Sequence, residues 1–99
     1  MKTRYSFVQN HPEKNEYIAD FIKLNEHLEE TYGQPQRDSR IWHDPALKED
    51  PSKWGQAVSL GHLSYEVRWM ISETEIVLNL FGIDEKVSLE VLYSRLSLQ

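Results

Sequence analysis

The sequence predicts an α+β fold of order β-α-α-β-β-β, with a long and a short helix packed on a mainly antiparallel sheet. Three observations carry that prediction. Leu63, Tyr65, Val67 and Trp69, then Ile76, Leu78 and Leu80, then Val87, Leu89, Val91 and Tyr93 recur at every second position, the period of strands with one buried face. Residues 72–75 and 82–85 connect these runs so briefly that consecutive strands must be antiparallel neighbours, a C-terminal three-stranded meander. Ahead of them, Tyr17, Ile18, Phe21, Ile22, Leu24, Leu28 and Tyr32 follow at helical spacing, an apolar stripe about five to six turns long.

Each element has its own local warrant. Residues 5–8 form a short aromatic and β-branched run after a charged terminus, which reads as an edge strand able to flank either side of the meander. His11, Pro12 and Glu13 read as a helix start, since proline at the first helical position lacks only an N–H that has no partner there. Glu13 also complements the positive end of the helix dipole. Gly33 and Pro35 end the helix, the first by adopting the left-handed conformation and the second by preventing resumption.

Residues 34–50 read as a loop, with Ile41 and Trp42 docking back onto the core or the segment lying over the sheet. A connection of that length is uncommon in a compact domain and tends to carry function. Asp44-Pro45 and Asp50-Pro51 each pair a capping residue with proline at the first helical position, so a single turn at Ala46 and Leu47 and a short helix over residues 51–60 are expected. Trp54, Ala57 and Val58 face its core side and Gly61 stops it.

The chain has 99 residues, 39% hydrophobic and 27% charged, which fits one globular domain over residues 1–99 with a single core. A net charge of −5 with lysines and arginines scattered singly disfavours polyphosphates and anionic bilayers, so neither nucleic acid nor a membrane is the expected partner. No stretch approaches the ~20 apolar residues of a membrane span. The absence of cysteine removes disulfides and thiol chemistry. A cytoplasmic protein is expected.

Alternation also specifies the other face of the sheet. With Leu63, Tyr65, Val67 and Trp69 inward, Ser64, Glu66, Arg68 and Met70 point out, as do Ser88, Glu90, Leu92 and Ser94. The middle strand adds Val77 and Phe81 around Asn79. Met70, Val77, Phe81 and Leu92 therefore make a candidate apolar patch, of the kind that marks interaction surfaces. The competing reading is that residues 34–50 cover it or that it is ordinary surface.

Candidate chemistry is sparse. His43 and Asp44 are adjacent, and no two histidines stand at i, i+4, so no metal site is expected. No nucleophile elbow or phosphate loop is present, and no cofactor is expected. Trp42, beside His43 in the unassigned segment, is a candidate contact residue because tryptophan joins a large apolar area to an N–H donor. The sequence reading is thus a non-enzymatic protein-interaction or homo-oligomeric accessory module, binding a protein partner or itself through Trp42, His43, Met70, Val77, Phe81 and Leu92. The alternative is a small-molecule binder or minor enzyme, with a pocket between the long helix and residues 34–50 lined by Trp42, His43, Asp44 and Trp54.

Overall fold

Three strands with a common inward face cannot bury that face alone, and in the computed structural model, which describes residues 2–7 and 11–95, two helices cover it. Strand β1 (Lys2–Ser6) leads to helix α1 (Asn15–Tyr32), then β2 (Arg37–Trp42). Two single 3₁₀ turns, Pro45–Leu47 and Pro51–Lys53, precede helix α2 (Trp54–Ser59), and β3 (Leu63–Ile71), β4 (Thr74–Ile83) and β5 (Lys86–Arg95) form the meander. The sheet runs β1-β5-β4-β3-β2 with every neighbour antiparallel. The first strand flanks β5. Val8, assigned with it from the sequence, lies outside the described residues.

The alternation places side chains as the period requires. Leu63, Val67, Trp69, Ile76, Leu78, Leu80, Leu89 and Val91 are buried with Phe21 and Leu28 of α1 and Ala57 and Val58 of α2. Trp69 also donates its indole N–H to the Gly33 carbonyl at 2.9 Å, which pins the C-terminal end of α1 to the C-terminal part of β3. Gly33 has φ of 85° with ψ of −158°, an extended positive-φ conformation open to glycine, in place of the left-handed helical one expected, and it ends the helix without Cβ strain.

Two further details differ from the sequence expectation. Residues 37–42 are a strand rather than a loop, paired with β3 from Arg37↔Arg68 to Trp42↔Leu63. As an edge strand, β2 needs a ladder partner on one side only, and its inner face carries Asp38 and Arg40 beside Trp42, so no apolar alternation announced it. The 34–50 segment consequently extends the sheet and does not lie across its outer face. Helix α1 begins at Asn15, three residues after the proline. The preceding chain is held aside: the His11 N–H donates to the Tyr17 hydroxyl, and the His11 ring meets Asp20 at 2.6 Å and Glu16 at 3.3 Å.

The helices meet at a close backbone approach. Asn15 accepts from the Gly55 N–H at 2.6 Å and donates to the Ser52 carbonyl at 3.1 Å, so a side chain of α1 caps α2, whose own N-cap Lys53 makes no capping bond. Gly55 has no space for a Cβ, which would strike the Lys14 backbone. Asp44 and Asp50 cap the two 3₁₀ turns through Ala46 and Ser52, with proline following each.

Candidate functional site

Among the described residues, the outer face of the sheet carries no helix, because α1 and α2 both pack against the inward side chains of β3, β4 and β5. Register orders this face in rows. One runs Arg37, Arg68, Val77, Leu92, Arg4 from edge to edge, the next Ser39, Glu66, Asn79, Glu90, Ser6. Met70 lies opposite Glu75 at one end, and Phe81 opposite Ser88 at the other.

Charge and apolar area are interleaved on this surface. Arg68 bridges Glu75 at 3.0 Å and Glu66 at 3.1 Å, and Arg4 reaches Glu90 at 3.5 Å. Val77, ringed by Arg68, Leu92, Glu75 and Asn79, is only 9% exposed, whereas Met70 at the margin is 37% exposed. Leu92 and Phe81 are half-buried. The four residues share the face, but they do not make one continuous patch: Asn79 separates Phe81 from Val77, and Met70 sits at the far corner. Val77 and Leu92 are direct cross-strand neighbours.

The other candidates divide between the faces. His43 points outward, its ring bonded to the Ser64 hydroxyl at 3.0 Å. Trp42 points inward and meets Trp54 edge to face at 5.7 Å between centroids, with the Arg40 guanidinium 4.8 Å over the Trp54 ring. Trp42 and His43 therefore turn to opposite faces of the sheet, Trp42 packing with Trp54 on the inner one and His43 bonding Ser64 on the outer. Asp44 caps its 3₁₀ turn and lies 3.7 Å from His62. Among the described residues, no three metal-ligating side chains gather at one place, and no helix is long and apolar enough to cross a membrane.

Two apolar hollows lie on the inner side, between α1 and the β5–β1 edge. One of about 320 Å³ is lined by Phe7, Asp20, Lys23, Leu24, His27 and Leu89. Phe7, Leu24 and His27 also border the second, of about 280 Å³, which continues past Tyr5, Tyr32 and Tyr93. The tyrosines form a cluster: Tyr5 packs edge-on against Tyr93 at 5.7 Å, and the Tyr32 and Tyr93 hydroxyls are 3.3 Å apart. Burial, helped by the hydrogen bond to Tyr32, pushes the Tyr93 phenol up to about 12. Tyr65 is likewise raised by burial, with Arg40 acting against it.

Tyr5 and Phe7, 51% and 43% exposed, are the contact candidates that sequence reasoning missed. The short aromatic run was read as an edge strand, yet nothing local says that α1 stops short of it. Only the placement of β1 outside β5, beyond the strands that α1 covers, leaves these two rings uncovered. No family model, curated protein or solved structure matches the chain, so its function has to be read from these surfaces.

Proposed function

We propose that this protein is a non-enzymatic interaction module that engages a partner polypeptide through the helix-free face of its sheet. The observation that supports this reading is the placement of both helices on one side, which presents a five-strand-wide face to solvent. Half-buried Leu92, beside Val77, and half-buried Phe81, two rows away, are separate apolar points in a polar surround, and protein interfaces combine apolar contacts with such a surround. Arg4, Arg37 and Arg68 are set against Glu66, Glu75 and Glu90 there, so the acidic excess of the chain lies elsewhere, much of it on α1. A partner for such a face has mixed charge and apolar side chains at separate points.

The test is a comparison of wild type with Phe81→Asp as immobilised baits, with circular dichroism to check folding. A protein retained by wild type and lost from a folded Phe81→Asp is the expected result. Identical retention by both, or unfolding of Phe81→Asp, would overturn the reading, since unfolding would mean that this face belongs to the core.

A further inference from the structure

The two edges of the sheet are not equivalent. On β2 the inward side chains include the charged pair Asp38 and Arg40, and inward charges on an edge strand discourage pairing with another chain. Strand β1 has no such guard on its inner face, which presents Thr3, Tyr5 and, just beyond the strand, Phe7. Its backbone is also poised to pair. The Phe7 N–H donates to the Leu89 carbonyl at 2.9 Å, so by alternation Thr3, Tyr5 and Phe7 turn their backbone groups toward β5, while Arg4 and Ser6 turn theirs to the open edge.

We infer that β1 is a self-pairing edge, and that a second copy of this chain adds its own β1 antiparallel to it about a two-fold axis. This goes beyond the outer-face reading and holds or fails separately from it. Outward-turned backbone groups match in antiparallel registers centred on Thr3, Arg4, Tyr5 or Ser6. The Thr3 centre brings the basic residues Lys2 and Arg4 opposite each other and the Arg4 centre sets that arginine opposite its own copy, like-charge pairs that destabilise. The Ser6 centre exchanges hydrogen bonds through one pair of described residues, Ser6 with its copy, whereas the Tyr5 centre engages two and is preferred. There Arg4 and Ser6 exchange backbone hydrogen bonds with Ser6 and Arg4 of the second copy, and Tyr5 faces its counterpart in the closer, non-hydrogen-bonded position. Thr3 stands opposite Phe7 of the second copy. The exposed Tyr5 rings thus become cross-strand partners, with Phe7 of each copy diagonal to Tyr5 of the other.

The two-fold axis is normal to the sheet, so both α1 helices stay on the same side of a ten-stranded sheet. Because α1 packs over β3, β4 and β5, the two acidic helices lie about five strand spacings apart, ~24 Å. That is well beyond the screening length of ~8 Å at physiological ionic strength, so their repulsion does not oppose the pairing. The same symmetry joins the two outer faces into one surface of twice the width.

Light scattering over a concentration series, with cysteine cross-linking, tests the register. The mass is expected to rise from 11.7 kDa toward twice that value. The chain has no cysteine of its own, and a Tyr5→Cys variant places two thiols across a non-hydrogen-bonded pair with Cα atoms ~4.5 Å apart, within disulfide reach. Oxidation should convert Tyr5→Cys to a covalent dimer and leave Thr3→Cys uncoupled. Ser6→Pro removes an outward N–H without touching the β5 ladder and should leave a folded monomer, while Phe81→Asp should remain dimeric. Wild type that stays monomeric at every concentration overturns the proposal. So does a dimer that resists Ser6→Pro while Tyr5→Cys fails to cross-link. Loss of the dimer only in Phe81→Asp would move self-association to the outer face, rejecting the edge and keeping that face as the contact surface.

Discussion

Gly82 sits where β4 passes against α2, and a Cβ at that position would be driven into the Val58 carbonyl oxygen and the Ser59 backbone. Backbone cannot yield as a flexible side chain does. Gly82→Ala is therefore expected to cost about 3 kcal/mol or more, at the upper end of overpacking penalties, read as a lower midpoint in urea denaturation. Glu85 shows the opposite opportunity. Asp84 and Glu85 both have positive φ, 50° and 66°, in the two-residue turn between Ile83 and Lys86, the type I′ geometry that favours glycine. Glu85→Gly relieves left-handed strain of ~1–2 kcal/mol against an unfolded-state entropy cost of ~0.4–1 kcal/mol. A modest rise in thermal midpoint is expected, and a fall would show that the Glu85 side chain contributes more than its backbone strain costs.

At the scale of elements, α2 depends on α1 for its first turn. Six residues make too short a helix to persist alone, and its N-terminal amide at Gly55 is satisfied by Asn15 forty residues earlier. Asn15→Ala removes that acceptor at a part-buried site and should destabilise by about 1–2 kcal/mol. Asn15→Asp, which keeps the acceptor for Gly55, should retain more of the stability than alanine does when the two are compared by denaturation. Element boundaries read from the sequence followed local chemistry where that chemistry was local: Asp44-Pro45, Asp50-Pro51 and Gly33 act where they stand. Strand β2 was illegible because Arg37, Asp38, Ser39 and Arg40 carry no apolar period, and its ladder comes from β3 more than twenty residues away.

The whole molecule is a two-layer assembly whose long helix is fastened at its C-terminal end to β3 through Trp69 and Gly33 and to β5 through Tyr32 and Tyr93. The second fastening titrates. The folded state holds the Tyr93 proton up to about 12, against an ordinary value of 10.0, so this contribution to stability is intact below pH 10 and is lost as pH rises from 10 through about 12. Tyr65, also raised, acts in the same sense. Tyr93→Phe is expected to decline less steeply than wild type over that alkaline range, measured as thermal midpoint against pH. Parallel curves would show that the Tyr93 proton is not linked to folding.

What the sequence determined by itself was the set of faces. Period two in the last three strands, period three to four in the long helix and the capping pairs all report short-range geometry, and they put Met70, Val77, Phe81 and Leu92 on the outer side of the sheet correctly. The tertiary structure alone decided how exposed those residues are and which edges stay open. Val77 is covered because Arg68, directly across the β3–β4 hairpin, is held over the face by Glu66 and Glu75. Trp42 turned inward because pairing with Leu63 sets its parity. Tyr5 and Phe7 stayed uncovered because β1 joined the far side of β5. Strand order and register are long-range choices, made by the packing of the whole chain rather than by any segment of it.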